Sequence, residues 1–322
     1  MTLLSLLLTI KKTNPQKFIV ASKLISIIGF GEAGSIFGAE LAKHAPVHAY
    51  DILQGTPAFE DRLLPFRDMG IVFAGSAAEA ISNGQIVLSL VTATAAEQVA
   101  RQAASYMRPG QFFLDLNSVS PGTKNASAAA FERSGAAYID AAVMSPVTQN
   151  LSAVPILLAG KTAHQVDIAL KAFGLNTEVV SDHVGPASAT KICRSVIIKG
   201  IEALCVESFL AARAHGVEAR VLASLSTTFP GTDWHRFTGY QVKRTLVHGR
   251  RRAAEMREAA ATVREGHIEP LMALATARRQ DLSADFSDMN PELKTKSEAA
   301  WLEILDGILT MASRDDVKKS ET

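Results

Sequence analysis

Residues Leu24 to His44 read LISIIGFGEAGSIFGAELAKH, and their order decides the architecture. Leu24 to Gly29 is a short β-branched apolar run ending in glycine, the pattern of a buried strand. From Ala33 the apolar residues recur with helical spacing as far as His44. Between the two lie Gly29, Gly31 and Gly34 in the register G-x-G-x-x-G. Gly29 permits a tight turn, Gly31 lets the backbone approach a pyrophosphate, and Gly34 lets the helix pack close to the strand. Phe30, Glu32 and Ala33 complete the segment expected to face a cofactor, because the first N–H groups of the helix and its dipole favour an anion.

The next apolar run, PVHAYD, ends on Asp51, about 20 residues beyond the first glycine, where an acid binds ribose hydroxyls. A carboxylate there repels a 2′-phosphate. No lysine or arginine follows among Ile52, Leu53, Gln54 and Gly55. The expected cofactor is therefore NAD, with NADP possible.

Further apolar runs occur at 71–74, 86–91, 112–116, 137–143, 155–160 and 177–181, with Ala-rich helical stretches such as 95–105, 121–134 and 162–173 between them. This alternation predicts an α/β, Rossmann-like domain with a mostly parallel sheet. From Gly185 onward the strand pattern stops. Segments 186–215, 217–226, 233–263, 267–280 and 293–312 read as helices, broken by Gly216, Pro230-Gly231, Gly266 and Pro291. The expected organisation is an extension outside the fold (1–23), a dinucleotide-binding domain (24–183), an all-helical substrate and dimerisation domain (184–313) and a tail (314–322).

The chain has 322 residues, 48% hydrophobic and 20% charged, with a net charge of +1. Such a balance supports a large core and offers no general attraction to nucleic acid or membrane. The apolar segment Leu3–Ile10 is too short to span a bilayer and lacks the preceding basic residues of a signal peptide. Cys193 and Cys205 form no disulfide framework, so a cytoplasmic setting is expected. The eight histidines show no metal-binding spacing, so no metal is expected.

Three loops follow strands at the sheet edge where ligands collect. SLVTATAAEQ (89–98) brings Val91 and Thr92 beside the cofactor; LNSVSPGT (116–123) offers Asn117, Ser118 and Ser120; DAAVMSPVTQN (140–150) offers Ser145, Thr148 and Gln149. Then GPASATKICRSVIIKG (185–200) places Lys191 early in a long helix, with Ser195 and Lys199 following at helical spacing on one face. A lysine in an apolar setting is paired or used. In HGRRR (248–252), His248 and Arg252 share a helix face, where the arginine could fork a substrate carboxylate, whereas Arg251 and Glu255 form an i,i+4 pair.

This order of dinucleotide turn, NSVSP loop, DAAVMSP loop and helix lysine resembles the β-hydroxyacid dehydrogenase superfamily over residues 24–215. KGIEAL (199–204), PGTDW (230–234) and HGRRRAAEMREAAATVRE (248–265) are similar to its uncharacterised 6-phosphogluconate-dehydrogenase-like branch, which has its own helical domain. The resemblance implies a Rossmann-like domain, a long helix leading into a helical domain, homodimers or higher homo-oligomers, and Lys191 as the group that handles the substrate hydroxyl proton. Ser195 stands where well-studied members carry asparagine. Ser145-Pro146 replaces their two-glycine element. Ile198 stands where the decarboxylating phosphogluconate enzymes carry glutamate, so that reaction is not expected.

The expected function is hydride transfer between a nicotinamide and a small polar hydroxy compound such as a 3-hydroxy acid. Lys191 and Ser195 are the expected catalytic residues; Asn117, Ser118, Ser145, Lys199, His248 and Arg252 are the expected substrate contacts. An imine reductase, or a non-catalytic dinucleotide-binding regulator or scaffold, are the alternatives.

Overall fold

A computed structural model describes residues 24–147 and 150–320. The expected N-terminal extension, and Thr148 and Gln149 of the third loop, lie outside them. The chain forms two compact units, one ending at Lys191 and one beginning at Ile192.

The first unit alternates β1 (Ile25–Ile28), α1 (Glu32–Leu41), β2 (Val47–Tyr50), α2 (Pro57–Asp68), β3 (Val72–Phe73), α3 (Ala77–Asn83), β4 (Ile86–Ser89), α4 (Ala93–Tyr106), β5 (Phe112–Asp115), α5 (Pro121–Ala129), β6 (Ala137–Val143), β7 (Ile156–Ala159), α6 (Ala163–Ala172) and β8 (Thr177–Ser181). Among the described residues eight strands form one sheet in the order β3-β2-β1-β4-β5-β6-β7-β8. Every pairing is parallel except β6 with β7, where no crossover helix intervenes and the chain folds straight back. Strands β1, β4, β5 and β7 are buried at every position, as continuous apolar runs require when helices cover both faces. Two large apolar clusters pack in the layers. One holds Phe30, Phe37, Leu88 and Leu114; the other holds Ile81, Val87, Phe113, Phe131 and Tyr138.

The register sets one row of residues across the sheet. Tyr50, Ile28, Ser89, Asp115 and Asp140 are successive partners on β2, β1, β4, β5 and β6. The glycine turn, Asp51 and the loops after β4 and β5 all begin at this row, and β6 carries the chain past it toward Ser145.

The helices α7 (Pro186–Ala214), α8 (Glu218–Thr228), α9 (Trp234–Glu265), α10 (Leu271–Met289) and α11 (Trp301–Ser320) follow. The division between the two units falls inside α7 rather than before it. The core of the second unit is built from Val206, Phe209, Val242, Leu246, Trp301 and Ile304. Residues 291–300 form short 3-10 turns rather than the start of the last helix, and α11 continues to Ser320 through the segment expected to be a tail. Among the described residues no helix is long and apolar enough to cross a membrane.

Candidate functional site

The glycine turn has the geometry its chemistry demands. Gly29 takes φ +91°, and a Cβ there would stand 2.4 Å from the Leu90 carbonyl oxygen. A Cβ on Gly34 would lie 2.0 Å from the Gly29 carbonyl oxygen, so α1 rests directly on the turn. At Gly31 a Cβ would meet nothing within 4 Å. The glycine that packs against nothing is the one across which a pyrophosphate must pass. Gly31 is also the N-cap of α1, which has no side-chain cap. Its first N–H groups are left for a ligand. These residues fit a dinucleotide.

Asp51 is buried at the end of β2. Its Oδ2 accepts from Phe30 N at 2.7 Å and its Oδ1 from Leu53 N at 2.9 Å. The carboxylate therefore ties the glycine turn to β2, and each oxygen keeps lone-pair capacity for a ribose hydroxyl. Gln54 braces it, accepting from Asp51 N and donating to the Ala74 carbonyl, both at 3.0 Å. The Phe30 ring is buried edge-on to Phe66 and Phe73, so this residue offers the turn its backbone. Glu32 is exposed and Ala33 half-buried.

The loops after β4 and β5 are joined by Asn117. Its Oδ1 accepts from Val91 N at 2.8 Å; its Nδ2 donates to Ser89 Oγ at 3.0 Å and to Asp115 Oδ1 at 2.8 Å. With both ends of its amide used and the side chain buried, Asn117 holds the loops together rather than reaching outward as the sequence suggests. Ser118 beside it is half-buried, and Ser145 is exposed. Thr92 precedes α4 without a side-chain cap; its hydroxyl pairs with Thr94 at 3.1 Å.

Behind these loops lies a buried polar cluster that sequence reasoning missed. Asp115 and Asp140 are register partners on β5 and β6. The ammonium of Lys124, fully buried on α5, lies 3.0 Å from Asp115 Oδ1 and 3.6 Å from Asp140 Oδ1. The Tyr138 hydroxyl donates to Asp115 Oδ2 at 2.6 Å. Burial, then the neighbouring Asp115 charge, holds the Tyr138 hydroxyl well above its usual range. Buried carboxylates persist only when paired and hydrogen-bonded, and here both are. A signal was present: FFLDL and AYIDAAV each place an acid inside an apolar run.

Asp140 reaches the start of α7. Its Oδ2 accepts from Gly185 N at 3.1 Å, Ser188 N at 3.0 Å and Ser188 Oγ at 3.1 Å. Lys191 follows three residues later, half-buried, and Ser195 one turn beyond, also half-buried.

In the helical unit two expectations are corrected. Arg252 is buried and its guanidinium is hydrogen-bonded to Glu202, so forking a substrate carboxylate would take it from its buried partner. Lys199 is 8% exposed and paired to Glu255 at 2.9 Å. Glu255 also takes the expected contact from Arg251 at 2.7 Å. Glu202 is further held by Gln280 at 3.0 Å and Arg244 at 3.4 Å, and burial raises its carboxyl above the ordinary value. Both expected ligands thus belong to one polar core between α7, α9 and α10. His248 is half-buried on α9, lining a notch with Arg250, Asp288 and Lys294.

Residues 24–185 match the family described as the NAD binding domain of 6-phosphogluconate dehydrogenase. Residues 212–282 match a domain of unknown function, DUF1932. The chain is similar to the crystal structure of a conserved hypothetical protein from Sinorhizobium meliloti 1021, with 35% identity, a TM-score of 0.74, and coverage of 90% of this chain and 97% of that one. It is also similar to a conserved protein of unknown function described as structurally similar to 3-hydroxyacid dehydrogenases, with 30% identity, a TM-score of 0.66, and coverage of 81% and 97%. A 3-hydroxyisobutyrate dehydrogenase from Mycobacterium tuberculosis shares the fold at 17% identity and a TM-score of 0.64, covering 88% and 99%. The open Gly31, the Asp51 brace and these matches agree: the chain belongs to the 6-phosphogluconate-dehydrogenase-like family of NAD(P)-binding proteins and carries its DUF1932 helical domain.

Proposed function

We propose that the protein is an NAD(P)-dependent oxidoreductase acting on a small polar hydroxy compound, with NAD preferred and a 3-hydroxy acid as the substrate class. The observation that carries this reading is the shared row across the sheet. The glycine turn starts one residue beyond Ile28, and Asp140, in the same row, bonds the first turn of the helix that bears Lys191. Cofactor turn and lysine helix are thereby referenced to the same edge of the same sheet.

A bound nicotinamide supplies the hydride acceptor or donor. Lys191 takes the substrate hydroxyl proton in the oxidative direction and returns it in the reductive direction, and a positioned acid or base of this kind contributes about 10²–10⁴-fold. Ser195, one turn along α7, orients the hydroxyl. Within the first unit Ser118 and Ser145 are the remaining candidates for polar substituents, since Asn117 is committed elsewhere; in the helical unit Lys199 and Arg252 are committed, which leaves His248. The similarity of one relative to 3-hydroxyacid dehydrogenases supports the substrate class.

Two measurements test the reading. Lys191→Ala is expected to lower turnover of the best hydroxy acid about 10²–10⁴-fold while NADH binding, followed by tryptophan-to-nicotinamide energy transfer, stays near wild type. Undiminished turnover would remove Lys191 from the chemistry. Asp51→Asn keeps the shape of the side chain and removes its charge. It is expected to weaken NADH about tenfold and to narrow the preference over NADPH. An unchanged ratio of the two affinities would overturn the NAD assignment.

A further inference from the structure

Asp140 combines features that helix capping alone does not require. A helix start is ordinarily capped by its own preceding Ser, Thr, Asp or Asn. Here Gly185 precedes Pro186, and the acceptor comes from β6, a carboxylate 45 and 48 positions away in sequence. That carboxylate is fully buried, in the middle of a strand, which carries a desolvation cost that a local cap would avoid. Lys124 offsets it at 3.6 Å while binding Asp115 at 3.0 Å. Asp115 in turn orients Asn117, which fixes Val91 N at 2.8 Å. One buried ammonium therefore joins two carboxylates. The first sets the loop after β4, next to the glycine turn; the second sets the first turn of α7. The charged and titratable groups gathered there are Lys124, Asp115, Asp140 and Tyr138.

We propose that Asp140, backed by Lys124, is a positioning residue for Lys191. The proposal rests on the reading of Lys191 as the proton-transfer group. Ser188 is pinned through both its N–H and its hydroxyl, which also contacts the Gly185 carbonyl at 2.8 Å. Lys191 follows at i+3, on the same side of the helix. Fixing Ser188 fixes the Lys191 backbone relative to the sheet, and a misplacement of about 1 Å in a reacting group costs about 10²-fold in rate.

The test uses the full chain with Asp140→Ala, Asp140→Asn and Ser188→Ala. It reads amide hydrogen exchange over residues 185–191 and the pH profile of Lys191 labelling by an amine-reactive ester, both by mass spectrometry, with NADH affinity alongside. In Asp140→Ala the 185–191 amides are expected to exchange at least about tenfold faster. The Lys191 labelling profile departs from that of the wild type, because a loosened first turn no longer holds the ammonium in one set of surroundings, and NADH affinity stays within about twofold of wild type. Asp140→Asn, which keeps an acceptor oxygen, recovers part of the protection. A folded Asp140→Ala protein with wild-type exchange and a wild-type labelling profile would overturn the proposal. If that variant does not fold, Asp140→Asn and Ser188→Ala carry the test together, and wild-type exchange over 185–191 in both would overturn the proposal. Neither readout needs turnover, so a failure of Lys191→Ala to affect catalysis remains a separate result.

Discussion

Gly31 and Gly34 stand three residues apart and answer to different demands. A methyl group at Gly34 must displace the Gly29 carbonyl, 2.0 Å away, whereas one at Gly31 enters open space. Gly34→Ala is therefore expected to destabilise the first unit by about 1–3 kcal/mol, read as a lower unfolding midpoint. Gly31→Ala is expected to keep the midpoint and weaken NADH binding. Full affinity in Gly31→Ala would mean that no phosphate crosses that backbone. Legibility at this scale depended on range. The glycines and Asp51 act through neighbours close in sequence, and their roles could be read from spacing. Arg252 could not be read this way, because its partner Glu202 lies 50 positions away and nothing local distinguishes a paired arginine from an available one. Asn117 misled for the same reason: a polar residue at a loop start looks outward until the Val91 N–H beneath it is seen.

At the scale of elements, the strands were legible because buried parallel strands are unbroken apolar runs. The helix α2 carries Pro65 inside it and an exposed, charged surface, so its sequence shows no apolar period. The last helix starts at Trp301 because Pro291 and the turns after it interrupt the pattern. One contact between helices sets a pH dependence. Arg213, near the end of α7, binds Asp306 on α11 through two bonds of 2.7 and 3.0 Å, and Glu218 on α8 at 2.5 Å. The hydrogen bonds from Arg213 hold the Asp306 carboxyl below its ordinary value of 3.8. A lowered folded value gives stability that is present above the ordinary value and lost as pH falls through the folded one. The contact is half-exposed, so its effect is small. Asp306→Asn is expected to lower the neutral-pH midpoint by about 1–3 °C and to flatten the loss of stability as pH falls below the ordinary carboxyl value of 3.8. A variant whose acid loss equals that of the wild type would show that Asp306 does not contribute.

At the scale of the whole molecule, the change from strand-and-helix alternation to helices alone near Gly185 was visible as the end of β-branched runs. The division inside α7 was not, because a helix continuing from one unit into the next presents one uninterrupted pattern. The sheet order has a consequence for how the chain is made. β1 lies inside the sheet, between β2 and β4. Its pairing with β2 can form as soon as Tyr50 emerges from the ribosome, but its other edge waits for Ile86–Ser89. At about 5–20 residues per second, that edge stays open for several seconds with ISII exposed along it. An unpaired apolar edge of this kind templates association between chains. The interval before β4 appears is thus the period in which nascent chains of this protein are most exposed to one another.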